Sequence, residues 1–222
     1  MNIITYDLSK TSPNTRPTMH FSLKELRSPD GDPILKVDID LLKKEEDCRQ
    51  YFNRPIIVGS FYRTPEYNAR IDGADGSWHI AGRAMDKDVG QAKTLMDPRI
   101  VAMYDDAVGQ YGGIGLYMYP DGRSWVHNDS GPRGKYWIAK KPGATYQYIS
   151  TFLPVMKRSY VFYPVKFETK VLQHLLGIAE DGKFGPATNR ALRAFQKVHN
   201  VPITGTTTRV TWQALFKARL HW

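Results

Sequence analysis

The spacing of apolar and polar positions predicts both helices and strands in the first part of the chain. The stretch "FSLKEL" begins at Phe21, and Glu25 follows Ser22 by three residues, which is the capping-box spacing at a helix start. In "DIDLLKKEEDCRQYF", the apolar residues Ile39, Leu42 and Phe52 accompany a charged face. This pattern predicts a surface helix of about three turns. The run "RPIIVGSFYR" is apolar and rich in β-branched residues, so it predicts a buried strand.

Two proline positions mark further helices. In "TPEYNARI", Thr64 is a candidate N-cap and Pro65 occupies the first helical position, where its missing N–H is tolerated. The stretch "AKTLMDPRIVAMYDDAVGQY" has a helical pattern, with a predicted break at Pro98.

Strand patterns dominate the region between and after these helices. "RAMDKDV" alternates as a strand does, and "GGIGLYMY" and "RSWVHND" flank the turn sequence "PDGR". Helices and strands mix here without a regular βαβ repeat. We therefore expect an α+β domain with a small antiparallel sheet and flanking helices.

A composition change separates this region from the C-terminal part of the chain. The stretch after residue 140 has no sustained helical period and contains Pro142, Gly143, Pro154 and Pro164. We expect a first domain over residues 1–150, a linker over 151–165 and a small all-α domain over 166–222.

The last domain contains an internal repeat with an offset of 23 residues. "DGKFGPATNRAL" (181–192) aligns with "TGTTTRVTWQAL" (204–215), matching Gly182 with Gly205, Thr188 with Thr211, Ala191 with Ala214 and Leu192 with Leu215. Each copy is a glycine turn followed by an amphipathic helix, and "TKVLQHLLG" precedes both as a first helix. The pattern predicts three helices around a core of Leu172, Leu175, Leu192, Phe195, Trp212, Leu215 and Phe216.

This segment resembles the peptidoglycan-binding domain found at the ends of many bacterial and phage cell-wall enzymes. The resemblance covers 166–222 and is carried by "VLQHLLG", "EDGKFGPATNRALRAFQKVHNV" and "TGTTTRVTWQAL". It implies bacterial peptidoglycan as the binding partner.

Charge and composition narrow the class of protein. Residues 166–222 carry nine Lys or Arg and three acids, a net charge of +6 out of the total of +9. Charge alone is equally compatible with an anionic partner, such as nucleic acid or cell wall, and with general solubility. The basic domain lacks the interleaved aromatic and basic residues of a strand platform for nucleic acid, so we expect no nucleic-acid partner.

Membrane, export and disulfide signals are missing from the sequence. No apolar run approaches the roughly 20 residues of a membrane-spanning helix, and the first 20 residues contain no apolar segment of a secretory signal. We therefore expect synthesis in the cytoplasm and no membrane insertion. The single cysteine, Cys48, excludes an internal disulfide and an all-cysteine zinc site, so a metal would need His, Asp or Glu.

The stretch "GSWHIAGRAMDKDVG" holds two suitable ligand types, His79 and Asp86. Gly82 allows a turn between them, so a loop histidine and a strand aspartate can converge. Ala84 lies two residues before Asp86, on the same strand face, and its small side chain leaves room for a metal. Two such residues by spacing alone are more often unrelated, and a catalytic zinc takes three protein ligands. His127, in "SWVHND", is the histidine elsewhere in the chain with a suitable setting.

The fuller pattern, Ser-x-His-x-x-Gly-x-Ala-x-Asp with a later strand histidine, resembles the zinc D-Ala-D-Ala carboxypeptidases and L-Ala-D-Glu endopeptidases, the LAS-type metallopeptidases. The resemblance spans about residues 20–137, in "FSLKEL", "GSFYRTPEYN", "GSWHIAGRAMDKDV", "GGIGLYMYPDG" and "WVHNDSGPRG". It implies a Zn²⁺ cofactor with His79, Asp86 and His127 as ligands. It also implies that Arg63 holds the carboxylate or carbonyl of the substrate. The simpler alternative is that Arg63 forms a surface salt bridge.

The sequence departs from many relatives at the position of the proton-transferring group. Relatives often carry an acid three residues before the last zinc histidine or a histidine two before it, where this chain has Ser124 and Trp125. Strand alternation puts Asp129 on the same face as His127, so Asp129 is our candidate for the catalytic base or for a group that orients a ligand. Asp121, in the turn, is the second choice.

Other polar patterns in the region have simpler interpretations. Ser77 is expected to orient His79 or cap its loop and to contact the substrate, because no acid and histidine accompany it as a nucleophile requires. "DGADG" lacks the acid spacing and final glutamate of a calcium loop, and "GGIG" is not followed by the helix of a nucleotide site.

Together these patterns predict a monomeric, phage-type endolysin: a zinc-dependent hydrolase that cuts a peptide bond of the peptidoglycan stem peptide or cross-link and causes lysis. We expect it to be made in the host cytoplasm without a signal peptide and to act on the cell wall. The alternatives are a bacterial D-Ala-D-Ala carboxypeptidase of wall remodelling and a non-catalytic, wall-binding virion protein.

Overall fold

The computed structural model describes residues 2–89, 96–132, 134–141, 143, 145–157 and 166–219. Contacts divide the chain into two compact units. The first comprises Met1–Asp105 and Gly109–Ser150, and the second comprises Asp106–Val108 and Thr151–Trp222.

The first unit contains eight strands and four helices among its described residues. The strands are β1 (Ile3–Asp7), β2 (Ile34–Asp38), β3 (Ile57–Ser60), β4 (Ala84–Asp88), β5 (Gly113–Met118), β6 (Ser124–Asp129), β7 (Lys135–Ala139) and β8 (Gln147–Ile149). The helices are α1 (Leu23–Leu26), α2 (Ile39–Phe52), α3 (Pro65–Arg70) and α4 (Pro98–Tyr104), and a π-helical turn (Asp105–Gly109) follows α4.

The strands form two sheets, which confirms the α+β class. β1 and β2 make an antiparallel pair, and six strands follow the order β3-β4-β6-β5-β7-β8. The larger sheet is antiparallel except for the parallel pair β5–β7. It is therefore wider than the small antiparallel sheet predicted, because β7 and β8 extend it beyond the β5–β6 hairpin.

Local signals located two helix starts and one helix break correctly. The Glu25 carboxylate accepts a hydrogen bond from the Ser22 backbone amide at 2.8 Å, which completes the capping box of α1. The Thr64 side chain accepts one from the Tyr67 amide at 3.0 Å at the start of α3. α4 begins at Pro98, with Asp97 as its N-cap; residues 92–95 of the helix predicted there lie outside the described residues.

Two predicted burial patterns differ from the structure. β3 is half-buried rather than buried, because it is the edge strand of the larger sheet. α2 is not a purely surface helix, since Glu45 on its charged face is completely buried. The Lys87 ammonium, from β4, lies 2.8 Å from the Glu45 carboxylate and 2.9 Å from that of Asp105, also completely buried. An ion-pair cluster thus replaces the water that this face would otherwise contact.

The second unit contains α5 (Phe167–Leu176), α6 (Pro186–Val198) and α7 (Arg209–Ala218). The predicted core residues are buried except Phe195, which is half-buried and stacks on His199 with ring centroids 4.1 Å apart. The Trp212 indole N–H donates to the Pro154 carbonyl at 2.9 Å, so the chain around Pro154 packs with these helices. Residues 158–165 of the predicted linker lie outside the described residues.

A buried glutamine supports each glycine turn of the repeat. The side-chain oxygen of Gln173 accepts the Gly182 amide at 2.8 Å, and that of Gln196 accepts the Gly205 amide at 2.9 Å. Both glycines have positive φ angles, +74° and +68°. The two glutamines are themselves 23 residues apart, so the repeat includes the groups that hold its turns.

No helix within the described ranges is both long and apolar enough to cross a membrane.

Candidate metal centre

His79 lies in a tight turn just before β4 in the chain. The turn closes through a hydrogen bond from the Gly82 amide to the His79 carbonyl at 3.0 Å. Gly82 has φ +66°, and an added Cβ would lie 2.2 Å from the Lys36 carbonyl oxygen. Both the backbone conformation and the close approach of β2 therefore require glycine, as the sequence predicted for the conformation alone.

Strand register brings the other two candidate ligands together. β4 and β6 pair so that Asp86 is opposite His127 and Ala84 is opposite Asp129. Residues directly opposite in an antiparallel pair project to the same face, so these four positions share one side of the sheet. Ala84 is completely buried beside Asp129.

The three candidate ligands form a compact cluster. One ligand atom from each of His79, Asp86 and His127 lies within 4.8 Å of the other two. His79 Nε2 is 3.3 Å from Asp86 Oδ2, and His127 Nδ1 is 2.8 Å from Asp86 Oδ1. Ligands of a tetrahedral zinc with bonds of about 2.0 Å are about 3.3 Å apart, so the spacing fits a small divalent cation.

The protonation of His79 adds a second indication of a cation. Its Nδ1 lies 2.7 Å from the Phe61 carbonyl oxygen, which only accepts hydrogen bonds, so Nδ1 carries the proton. Burial lowers the pKa of His79, which favours the neutral ring even though Asp86 acts in the opposite direction. The bare Nε2 lone pair then faces a carboxylate oxygen of Asp86. A cation between these two acceptors would satisfy both.

His127 lies between two carboxylates. Its Nδ1 faces Asp86, and its Nε2 is 3.4 Å from Asp129 Oδ2. Burial acts to lower the pKa of His127, but the hydrogen bonds to Asp129 and Asp86 raise that pKa to about 9. Burial likewise acts to raise the pKa of Asp86, whereas His79 and His127 hold it well below its usual range. The two carboxylates thus hold a proton on His127, and a cation bound between Asp86 and Nδ1 would take the place of that proton.

Backbone amides fix the carboxylate of Asp129. Oδ1 accepts the amides of Gly113 at 3.0 Å and Gly131 at 2.7 Å, which leaves Oδ2 for His127. Burial acts to raise the pKa of Asp129, but the hydrogen bonds from His127 and the two amides lower it. A carboxylate held in this way orients the histidine ring and selects its tautomer.

Glycines on β5 make room for the large side chains of this face. A Cβ on Gly113 would lie 2.2 Å from Asp129 Oδ2, and one on Gly115 would lie 2.4 Å from the Trp137 indole. Trp137, on β7, was missed from the sequence; its ring centroid is 5.2 Å from that of His127. The sequence signal for this contact is the "GGIG" stretch, because glycines on a central strand allow another group to approach the backbone closely.

Arg63 contacts the cluster directly. Its Nη2 donates to Asp86 Oδ2 at 2.6 Å, and its Nε donates to the Ser60 hydroxyl at 2.8 Å. The ion pair is largely buried, so it differs from the surface salt bridge that was the simpler alternative. The guanidinium also lines the cavity beside the cluster.

That cavity has a volume of about 450 Å³. It is lined by the three candidate ligands and also by Asp129 and Ser77. Ser77 does not hold the His79 ring, since the Phe61 carbonyl does so. Asp121, the second choice for the base, lies in the exposed β5–β6 turn, where it pairs with Arg123 at 2.8 Å.

Comparison with known families agrees with this geometry. Residues 19–129 match the model described as Peptidase M15, and residues 170–215 match that of a peptidoglycan binding domain. A comparison with curated proteins gave no match. The first match covers half of the 222 residues and includes His79, Asp86, His127 and Asp129. The chain therefore belongs to the M15 peptidase family and joins a peptidase of that family to a C-terminal peptidoglycan-binding domain.

Proposed function

We propose that the protein is a zinc-dependent endolysin that hydrolyses a peptide bond in the stem peptide of peptidoglycan. The observation that carries this proposal is the cluster of His79, Asp86 and His127 inside an open cavity, on a chain that also contains a wall-binding domain. Two histidines and one carboxylate leave a position for water and substrate, which is the composition of a catalytic zinc site.

His79, Asp86 and His127 would hold the zinc. Their donor atoms, their spacing and the bare lone pair of His79 fit that ion. When bound, zinc supplies a Lewis acid that polarises the peptide carbonyl and makes water nucleophilic near neutral pH.

The remaining residues position these groups and the substrate. Asp129 keeps the proton of His127 on Nε2, so that Nδ1 faces the metal position. Asp129 is held by two amides and directed at the histidine, which supports the orienting role over that of the base. Arg63 holds Asp86 and presents its guanidinium to the cavity, where it can bind a substrate carboxylate or carbonyl oxygen. Ser77 lines the same cavity as a hydrogen-bonding group for the substrate.

The C-terminal domain would act as an anchor. We propose residues 1–150 as the catalytic domain, 151–165 as the linker and 166–222 as the wall-binding domain of a monomer. Attachment to the wall raises the local concentration of stem peptides around the cavity without adding catalytic contacts. The net charge of +6 in the last domain is compatible with an anionic polymer such as the cell wall.

His127→Ala tests the proposal. The variant should lose chelator-sensitive cleavage of purified peptidoglycan, since one of three ligands is gone, while it still sediments with the wall. His20→Ala, in the same unit and remote from the cavity, is the matched control and should cleave normally. Cleavage that survives in His127→Ala would exclude this ligand set.

A further inference from the structure

A row of aromatic rings leads away from the metal centre along the sheet. Trp137 lies 5.2 Å from His127, Tyr146 lies 5.9 Å from Trp137, and Tyr148 lies 6.5 Å from Tyr146, all between ring centroids. Strand register explains the row, because Trp137 and Tyr148 are opposite each other on β7 and β8. We call Trp137, Tyr146 and Tyr148, together with Tyr117 beside them, the aromatic wall.

The aromatic wall is part of the cavity rather than of the core. All of its members line the same 450 Å³ space as the candidate ligands. Tyr146 is 44% exposed and Tyr148 is 69% exposed, although rings of this size usually pack inside a domain or against a ligand. Tyr146 is tilted by 33° against Trp137 and Tyr148 is edge-on to Tyr146 at 83°, so the cavity is lined by ring faces and ring edges.

The polar edges of the wall are joined to each other. The Trp137 indole N–H donates to the Tyr117 hydroxyl at 3.1 Å, and the Tyr117 and Tyr146 hydroxyls are 3.3 Å apart. These bonds hold the rings in place, and one face of Tyr117 is covered by Trp125, with the ring centroids 4.4 Å and the planes 11° apart. Gly115 contributes as well, because any Cβ there would displace the Trp137 indole.

A ligand for such a wall needs flat apolar faces and a polar rim. Hexopyranose sugars have both: their axial C–H groups pack on the electron-rich face of an aromatic ring, and their hydroxyls bond around it. The short methyl side chains of alanine residues in a stem peptide offer no comparable face. Peptidoglycan carries both chemistries in one polymer.

We propose that the aromatic wall binds the sugars of the glycan strand next to the stem peptide being cut. This inference rests on the proposed function, and it selects among the candidate bonds. Each stem peptide is joined through its first L-Ala to a muramic acid. The first ring lies 5.2 Å from His127, less than two extended residues at roughly 3.5 Å each. A sugar on that ring therefore corresponds to cleavage close to the glycan, at L-Ala–D-Glu, rather than at the terminal D-Ala.

The test compares two soluble substrates that share one stem peptide, with and without the attached GlcNAc-MurNAc disaccharide. The wild-type protein should cleave the glycosylated peptide with a kcat/KM about tenfold higher, the size expected for stacking on one or two rings. Tyr148→Ala and Tyr146→Ala should each reduce kcat/KM on the glycosylated peptide more than on the free peptide, so that most of this preference is lost. Tyr6→Ala, on the separate β1–β2 sheet, should keep both rates.

A second measurement needs no variant. The free disaccharide should inhibit cleavage of the glycosylated peptide competitively. Equal kcat/KM on both substrates, or an equal loss on both in Tyr148→Ala, would overturn the inference while the peptidase remained established. Failure to cleave either substrate would instead refute the proposed function. A wild-type dimer that dissociates in Tyr148→Ala, seen by sedimentation, would assign the wall to self-association and also overturn the inference.

Discussion

Replacing Asp129 by Asn separates its two candidate roles. Oδ1 of Asp129 is bound by the amides of Gly113 and Gly131, so in Asp129→Asn the side-chain oxygen must remain at that position. The new NH₂ group then takes the place of Oδ2, 3.4 Å from His127 Nε2. Two donors cannot face each other, so Nε2 must give up its proton and accept. His127 then carries its proton on Nδ1, the atom that faces Asp86 and the metal position.

The size of the effect follows from these contacts. Turning the Asn amide over would place NH₂ against two backbone N–H groups and would leave both unsatisfied, at about 1–3 kcal/mol each. The wrong tautomer of His127 is therefore the lower-energy solution. Loss of a carboxylate that orients a metal-bound histidine weakens metal affinity or activity by roughly 10–100-fold, or about 1.4–2.7 kcal/mol.

The assay is zinc binding by competition with a chromophoric chelator, together with cleavage of purified peptidoglycan. We expect Asp129→Asn to bind zinc more weakly by that factor and to lose activity in proportion. Asp121→Asn, in the exposed turn, should match the wild type in both. Unchanged zinc affinity with lost cleavage would refute the orienting role and identify Asp129 as the base.

Two further predictions concern stability. Gln173→Ala and Gln196→Ala should each lower the free energy of unfolding of the second unit by about 1–3 kcal/mol in thermal denaturation, because each leaves a buried glycine amide unsatisfied; an effect in one variant only would contradict the equivalence of the repeats. Lys87→Met should cost about 3–5 kcal/mol in urea denaturation, since it leaves Glu45 and Asp105 buried as like charges. Replacing Glu45 and Asp105 by Leu in that variant should recover most of the loss, and no recovery would show that packing, rather than charge, is responsible.

Features decided within a few residues could be predicted from the sequence. The capping box of α1, the Thr64 N-cap and the Gly82 turn depend on neighbours in the chain, and all three are present. The repeat at an offset of 23 residues likewise predicted three helices with two glycine turns. Gln173 and Gln196 follow the same offset and could have been found by extending the alignment towards the N-terminus.

Features that depend on distant partners could not be predicted. The buried charge of Glu45 has its partner 42 residues away on β4, and the charged pattern of α2 gives no sign of it. The aromatic wall depends on the parallel pairing of β5 with β7, which brings Trp137 beside Gly115. The ligand spacing itself depends on the register that places Asp86 opposite His127. Short strands with remote partners, such as β1 and β8, carry too few residues for a clear period.

The most direct test of the account is digestion of purified peptidoglycan by the full-length protein, before and after treatment with a chelator and after zinc is restored, with the new termini identified by mass spectrometry. The account predicts new amino-terminal D-Glu, its loss with the chelator and its return with zinc. Release of free D-Ala would indicate a carboxypeptidase instead. Cleavage that the chelator leaves unchanged, or no cleavage with zinc present, would contradict the central claim that His79, Asp86 and His127 form a catalytic zinc site.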